Sequence, residues 1–239
     1  MCTVSYIPRP DGYLLTTNRD EDPKRETLLP QARILSNGTQ LMAPLDARAG
    51  GTWIAADHTG RTACLLNGGL ENHKRKPPYR KSRGIVVLEA FEASDFDSFL
   101  KDADPSGVEP FTLILVEPGR IQRWVWDGRH SHHFQPDAAT GHLWSSATLY
   151  TREQHAQKEA YFREALDREG NSREALLRIH GRESPTPFVL DRPEVCSTSI
   201  TQMSLGAGCM DITHYKFEAD ETVRITMPVV LRAVGGGPA

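Results

Sequence analysis

The order in which strand-like and helix-like segments follow one another most restricts the fold of this 239-residue chain. Short β-rich segments come first, helical segments follow, strands return, and a second helical stretch precedes the last strands. Because strands and helices are segregated rather than alternating, the pattern favours antiparallel sheets with helices on their outer faces. The sequence therefore predicts the α+β class.

Two pairs of strands are predicted in the first third of the chain. Thr3–Ile7 and Tyr13–Thr17 are rich in β-forming residues, and the run Pro8–Gly12 between them has strong turn chemistry. A second pair is predicted over Thr52–Ala56 and Thr62–Leu66. The latter segment has no polar residue after Thr62, which is typical of a strand covered on both faces.

The later elements are predicted from periodicity and from start and stop signals. Thr151 and Gln154 have the spacing of a capping box, and Gly170 follows the apolar stripe of that helix. Strands are expected over Phe111–Val116, Ile121–Trp126, Arg129–Phe134, Ser197–Ser204, Tyr215–Glu218 and Val223–Met227. Helices are expected within 84–100, where Ser94 caps a second helix, over Thr151–Arg168 with the stripe Ala160, Tyr161, Ala165 and Leu166, and over Ser172–Ile179.

Composition narrows the classes of function. The net charge of −3 gives no field that would gather nucleic acid, and no stretch is long and apolar enough for a stable membrane insertion. The first twenty residues lack the apolar core of a secretory signal, so we expect a cytoplasmic protein with reduced thiols. We expect one domain over residues 1–239, with a loose tail at 234–239, and no cofactor.

Cys2 is the candidate nucleophile. A small residue at position 2 permits removal of Met1, which would leave a thiol and a free α-amine on one residue. Such an amine titrates near pH ~8 and is able to accept the thiol proton. The alternative is that residue 2 is only the start of an edge strand.

The polar run Asn18-Arg19-Asp20-Glu21 is the second candidate feature. In a hairpin the end of the second strand lies beside the start of the first, so Arg19 and Asp20 are expected near Cys2. The guanidinium would hold a thiolate, and the carboxylate would orient the amine or the arginine. The alternative is a polar turn before Pro23.

Asn67-Gly68-Gly69 follows the covered strand Thr62–Leu66. An asparagine at the mouth of such a strand is able to donate its amide N–H to a developing oxyanion, and the glycines would let the backbone approach a ligand. The same residues are also a turn signal.

Two further clusters favour ordinary structural roles. His130 and His132 share a strand face that His133 does not, and no ligand follows at metal spacing, so we predict a solvated hairpin arm and no metal. The basic loop His73–Lys81 is predicted to be a solvated loop rather than a phosphate or partner site.

Taken together, these motifs resemble the NRDE family, which includes the Transport and Golgi organization protein 2 homologues. That family in turn resembles N-terminal-nucleophile (Ntn) hydrolases of the choloylglycine type, such as penicillin V acylase and bile salt hydrolase. The resemblance implies a four-layer αββα sandwich of two antiparallel sheets with helices outside. It rests on Met1-Cys2-Thr3, Asn18-Arg19-Asp20-Glu21, Gly50-Gly51-Thr52-Trp53, Asn67 and Ser82-Arg83-Gly84.

The resemblance also implies roles for the site residues. Cys2 matches the nucleophile, Arg19 the arginine that supports the thiolate, and Asn67 an oxyanion-hole donor. Asp20 is taken as the site carboxylate, with Asp22 as the alternative. The remaining candidates are assigned to substrate binding: Asn18, Glu21, Trp53 and Gly68.

The sequence departs from the hydrolases at two places. Their second asparagine has no counterpart in Trp144–Thr148, and their late-strand arginine has none in Ser197–Thr201. The leading hypothesis is an N-terminal cysteine amidohydrolase acting on a small amide. The alternative is a non-catalytic carrier of hydrophobic cargo, such as lipid or haem, on the same fold.

Overall fold

In the computed structural model, residues 3–230 are described, and they fold into antiparallel sheets and helices. The strands are β1 (Thr3–Arg9), β2 (Gly12–Glu21), β3 (Thr27–Ile34), β4 (Gln40–Asp46), β5 (Ile54–Asp57), β6 (Thr62–Asn67), β7 (Phe111–Glu117), β8 (Arg120–Trp126), β9 (Ser131–Phe134), β10 (His142–Ser145), β11 (Asp191–Arg192), β12 (Val195–Gly206), β13 (Cys209–Lys216) and β14 (Glu221–Pro228). The helices are α1 (Arg83–Glu92), α2 (Phe96–Asp102), α3 (Arg152–Glu169) and α4 (Arg173–Ile179).

The strands form two seven-stranded sheets. Sheet A has the order β10-β1-β2-β12-β13-β14, with β11 paired to β12, and sheet B runs β3 to β9 in sequence order. Every pairing is antiparallel. The central pair of sheet A joins β2 to β12, so an early and a late part of the chain lie side by side.

Three apolar clusters separate four layers. Side chains of sheet A, such as Leu15, meet those of sheet B, such as Ile114, in the cluster between the sheets. A second cluster packs sheet B against α1 and α2, and a third packs sheet A against α3 and α4 through residues such as Phe162. The predicted α+β class and the four-layer αββα sandwich are confirmed.

Four strands were not predicted from the sequence: β3, β4, β10 and the two-residue β11, and two of them contain a proline. β3 contains Pro30 and carries a register shift between Leu28 and Gln31, and β4 contains Pro44. Proline lacks the N–H that a sheet ladder needs, so it weakens the strand pattern in the sequence. β3 is an edge strand, and β4 pairs with β5 only at Leu41 and Met42, so both prolines are accommodated.

Several boundaries differ from the sequence prediction. Asp95 rather than Ser94 caps α2, because its carboxylate accepts the Ser98 backbone N–H. β13 begins at Cys209 and ends at Lys216, so the predicted strand Tyr215–Glu218 covers only its end.

The apolar stripe of α3 is also shifted from its predicted position. Its buried residues are Lys158, Phe162 and Ala165, while Ala160 is exposed. The capping box of Thr151 and Gln154 is present as predicted. None of the described helices is long and apolar enough to cross a bilayer.

Candidate active site

The candidate site lies where the first hairpin ends. In the β1–β2 pair, Thr3 is opposite Asn18, so the start of β1 lies beside the NRDE segment, residues 18–21. Cys2, the predicted nucleophile, lies outside the described residues, as does the predicted tail at 234–239.

The NRDE segment alternates between two layers because it forms the end of a β-strand. In β2, Tyr13 and Leu15 face the core between the sheets, whereas Leu14 faces α3 and α4. Arg19 lies on the same face as Tyr13 and Leu15 and packs against Trp53, which belongs to the inter-sheet core. Asn18 and Asp20 lie on the same face as Leu14. We call these the inter-sheet face and the helix face of the segment.

Arg19 is almost completely buried, with 2% of its side chain exposed, and is held by acidic and aromatic partners. Its Nη2 donates to Asp46 Oδ2 at 3.0 Å and lies 3.9 Å from Glu21 Oε2. Its guanidinium lies 4.8 Å from the centre of the Trp53 ring, a cation–π distance. Burial lowers the pKa of Arg19, and Glu21 and Asp46 oppose that shift.

Asp46 fixes the position of the arginine. It also forms an ion pair with Arg25, at 2.6 Å between Oδ2 and Nε, and its Oδ1 accepts the Ala49 backbone N–H. Burial alone would raise the pKa of this carboxyl, but the Ala49 hydrogen bond and the two arginines leave it below its ordinary value. Two cations therefore share one charged carboxylate.

A small polar cavity of about 70 Å³ brings the inter-sheet candidates together. Arg19, Glu21, Trp53 and Asn67 all line it, so the structure places four of the predicted site residues around one space. Arg83 also lines the cavity; burial lowers its pKa, and Glu109 opposes that shift. Arg83 belongs to the Ser82-Arg83-Gly84 motif but was not among the candidate site residues.

Asn67 is the last residue of β6 and is half-buried at the cavity. Its backbone carbonyl accepts the Ser146 hydroxyl at 2.7 Å, which ties the end of β6 to the segment after β10. The asparagine is therefore fixed in position from a second sheet.

The glycines after Asn67 allow the chain to pack closely against other parts of the protein. Gly68 has φ +89°, and a Cβ there would lie 2.9 Å from Thr148 Cγ2. A Cβ on Gly69 would lie 2.9 Å from Asp127 Cα. Both positions exclude a side chain because other parts of the protein already occupy the space.

Asp20 and Asp22 differ in surroundings. Asp20 is buried on the helix face, where it accepts hydrogen bonds from Tyr150 Oη at 2.9 Å and from Ser197 Oγ. Asp22 is exposed and accepts the Lys24 backbone N–H at 2.9 Å, which forms a turn. Of the two carboxylates, Asp20 lies in the buried cluster.

Asn18 is locked into a buried network rather than open to a ligand. Its Oδ1 accepts His180 Nδ1–H at 2.5 Å, and its Nδ2 donates to the His180 carbonyl at 2.9 Å. Burial lowers the pKa of His180 to about 3, so the ring is neutral and its Nε2 accepts the Ser5 hydroxyl at 2.7 Å. Asn18 thereby ties the end of α4 to β1 and β2.

Sequence reasoning missed a polar cluster around Lys158. Its side chain is buried on α3, donates to Thr3 Oγ1 at 2.8 Å, and lies 3.1 Å from the centre of the Tyr150 ring. Tyr150 in turn donates to Asp20. The sequence did contain a signal for this cluster. Lys158 precedes the buried Phe162 and Ala165 by four and seven residues, so it lies on the same face of the helix as they do.

Hydroxyl side chains occupy the two regions where the sequence departs from the hydrolases. Ser146 holds the Asn67 carbonyl, and Ser197 holds Asp20. Thr201 Oγ1 lies 2.8 Å from His214 Nδ1. Ser146 and Ser197 thus support candidate residues, and none of the three hydroxyls supplies an amide or a guanidinium.

The clusters assigned to structural roles are engaged in local contacts. His132 Nε2 lies 2.7 Å from Asp127, and His133 stacks on Trp124. Within residues 3–230, no three histidine, cysteine or acidic side chains gather as a metal-binding group. In the basic loop, His73 and Arg75 both contact Glu109.

Comparison with known proteins identifies the family. The family model for Transport and Golgi organisation 2 matches residues 1–187. The chain belongs to this family. The mouse Transport and Golgi organization 2 homolog is 30% identical over an alignment of 131 residues that covers 49% of this chain and 45% of the mouse protein. The match thus spans less than half of that relative.

Solved structures share the fold at low identity. Two variants of the conjugated bile acid hydrolase from Clostridium perfringens each superpose with a TM-score of 0.63 and 9% sequence identity. The first superposition covers 95% of this chain and 92% of the hydrolase chain, and the second covers 98% and 100%. A Caenorhabditis elegans N-acylethanolamine-hydrolyzing acid amidase ortholog superposes with a TM-score of 0.51 and 11% sequence identity. The superposition covers 84% of this chain and 92% of the amidase chain. The fold is that of the Ntn hydrolases.

Proposed function

We propose that this protein is an N-terminal cysteine amidohydrolase that cleaves a small amide after removal of Met1. The cavity that Arg19, Trp53 and Asn67 share at the start of the first hairpin carries the proposal. Val4 and Tyr6 of β1 face the inter-sheet core, and side chains alternate along a strand. The period-two alternation of the sequence predicts that position 2 shares the face of Val4 and Arg19.

The groups around the cavity support a defined reaction. The α-amine of Cys2 takes the thiol proton, and the thiolate, supported by the Arg19 charge, attacks the amide carbonyl carbon. The Asn67 amide donates to the oxyanion of the tetrahedral intermediate. Collapse breaks the C–N bond, and the leaving nitrogen takes the proton from the ammonium. Water then attacks the thioester, which releases the acid and restores the thiol.

The helix-face cluster is assigned to positioning in this mechanism. Asp20 accepts hydrogen bonds from Tyr150 and Ser197, and Lys158 holds Thr3. These contacts fix the ends of β1 and β2 relative to each other, and small errors in geometry slow catalysis strongly. Tyr150, Ser197 and Lys158 thus act through the residues they hold.

The wider setting is also part of the proposal. We infer a small-molecule substrate, without nucleic acid or stable membrane insertion, and a cytoplasmic location in keeping with thiol chemistry and the near-neutral charge. The carrier alternative is not favoured, since the fold neighbours are named as hydrolases and an amidase. Catalysis itself is what has to be tested.

The test inserts one alanine between Met1 and Cys2 and measures release of p-nitroaniline from acyl-p-nitroanilides. Processing then leaves alanine first, so Cys2 keeps its thiol and loses its free amine. We expect turnover in the wild type and its loss both in the insertion variant and in Cys2→Ser. Full activity in the insertion variant would show that the mechanism is wrong.

A further inference from the structure

A second, larger cavity of about 710 Å³ opens at the end of sheet A, where β2 and β13 finish and β12 begins. Its walls come from the segment after β2, the segment before β11, and the ends of β12 and β13. Its volume falls in the range of small-molecule sites, roughly 300–1,000 Å³. Arg25 lines both this cavity and the smaller one beside Arg19, so the two are neighbours.

Apart from Arg25 Nε, which is ion-paired with Asp46, two buried polar atoms at this cavity have no hydrogen-bond partner within residues 3–230: Ser199 Oγ and His214 Nε2. Both residues line the cavity, and both are at least 98% buried. Thr201 is opposite His214 and Ser199 is opposite Lys216, so Ser199 and His214 are diagonal neighbours on one face of adjacent strands. Buried polar atoms are almost always paired, so a convergent unpaired set indicates a missing partner.

These two polar atoms indicate whether the group that pairs with them is charged. Thr201 holds His214 Nδ1, and burial lowers the pKa of His214 to about 4, so the ring is neutral at pH 7. A neutral imidazole and a hydroxyl suit an uncharged carbonyl, amide or hydroxyl group. The charged lining residues balance in sign, with three cations and three carboxylates: Lys24, Arg25, Lys216, Glu26, Asp191 and Glu218.

Apolar side chains form the remaining walls. Pro23, Val189, Leu190 and Phe217 line the cavity, and Leu190 is buried while Val189 and Phe217 are half-buried. The cavity thus has a fully buried polar part at Ser199 and His214 and an apolar part at Val189, Leu190 and Phe217. A ligand that satisfies both parts is amphipathic, with an uncharged polar end.

We propose that this cavity binds an uncharged amphipathic small molecule, whose amide or hydroxyl end contacts Ser199 and His214 and whose apolar body lies against Val189, Leu190 and Phe217. Because Ser199 is opposite Arg19 in the β2–β12 pair, the bound polar end lies beside the candidate catalytic arginine. An uncharged amphipathic molecule is therefore also the expected substrate class, and this assignment rests on the proposed function.

Cys196 reports on occupancy, since its thiol belongs to the cavity lining and is partly exposed. The experiment alkylates the Cys2→Ala variant with iodoacetamide at pH 8.5, with and without octanamide, and follows Cys196 and Cys209 by peptide mass spectrometry. Cys209 is also partly exposed and lies at the opposite end of β13, outside the cavity lining. Because Cys2 is absent, the result does not depend on catalysis.

We expect octanamide to slow alkylation of Cys196 several-fold and to leave alkylation of Cys209 unchanged. Two compounds should protect Cys196 far less: acetamide, which lacks the apolar body, and octanoate, which is charged. Ser199→Ala should weaken octanamide protection about five- to tenfold, the usual effect of one lost hydrogen bond. Absence of protection at saturating octanamide would overturn the proposal. Equal protection by octanamide in the Cys2→Ala variant with and without Ser199→Ala would overturn the assigned polar end. Protection by octanoate at least as strong as that by octanamide would show that the ligand class is not uncharged.

Discussion

The two faces of the NRDE segment behave as different kinds of structure, although their residues are adjacent in sequence. On the inter-sheet face, Arg19 borders a small cavity together with Trp53 and Asn67. On the helix face, Asn18 and Asp20 are enclosed in hydrogen bonds to His180, Tyr150 and Ser197. One face borders an open space, and the other is closed by hydrogen bonds to the segments packed on it.

This contrast teaches that a short sequence motif on a strand does not describe one site. Period-two alternation sends neighbouring residues to different layers of the sandwich. Substitutions on the inter-sheet face should therefore change chemistry with little effect on stability. Substitutions at Asn18 should change stability with little direct effect on chemistry.

The largest effect is expected for Asn67→Ala. Loss of one oxyanion donor slows acyl transfer on the order of 10²-fold or more. Steady-state hydrolysis of an acyl-p-nitroanilide measures the change in kcat, and thermal unfolding measures stability. Asn72→Ala is the matched control, because Asn72 is exposed and does not line the Arg19 cavity. A large fall in melting temperature with unchanged kcat would make Asn67 a structural residue.

Arg19→Ala tests the charge on the inter-sheet face. Removal of a neighbouring cation is expected to raise the pKa of the Cys2 thiol by about one to three units, since the cation favours the thiolate. The fold should persist because Arg25 still pairs with Asp46. Alkylation rates of Cys2 against pH give the thiol pKa, and Arg25→Ala is the control. Identical profiles for Arg19→Ala and wild type would remove Arg19 from the site.

Asn18→Ala tests the helix face. The substitution leaves the buried His180 ring and carbonyl without their partners, which we expect to lower the free energy of unfolding by about 2–3 kcal/mol. Urea unfolding measures the loss, again with Asn72→Ala as control. If Asn18→Ala unfolds like the wild type but its alkylation profile at Cys2 changes, the two faces are not separated as described.

The pH dependence of stability sharpens the same comparison. His180 has a pKa of about 3 when folded and about 6.5 when unfolded, so the unfolded chain binds the proton first as pH falls. Stability is therefore fully present above pH 6.5 and declines toward pH 3, by roughly 2 kcal/mol between pH 6.5 and 5 from this residue alone.

Urea unfolding at the two pH values measures that slope. His180→Leu should be less stable and should show a smaller decline, whereas His130→Gln, at an exposed position, should keep the wild-type slope. An unchanged slope in His180→Leu would mean that other groups control the acid response.

The sequence was sufficient for the class, the first hairpin and the position of Asn67, because these follow from local turn signals and strand periodicity. It did not predict β3 and β4, since Pro30 and Pro44 weaken their patterns and only pairing with neighbours defines them. The layers themselves followed from family resemblance rather than from propensity.

The candidate site was predicted unevenly for a similar reason. Arg19, Trp53 and Asn67 converge as expected. The partners of Asn18 and Asp20 come from residues more than 120 positions away, and no local pattern encodes such contacts. Lys158 was not predicted as part of the site, because a lysine on a helix is ordinarily solvated. Only the packing of α3 on sheet A shows that its side chain is buried.

The central claim is that Cys2 is an N-terminal nucleophile, and one mass-spectrometric measurement tests it most directly. Purified protein is treated briefly with p-nitrophenyl acetate, and the intact mass and the acylated peptide are determined. The account predicts a chain without Met1 that carries one acetyl group on Cys2, on its thiol or passed from the thiol to its α-amine, and none on Cys64, whose pKa burial raises to about 12. Retention of Met1, or acetylation at Cys196 or Cys209 in place of Cys2, would contradict it.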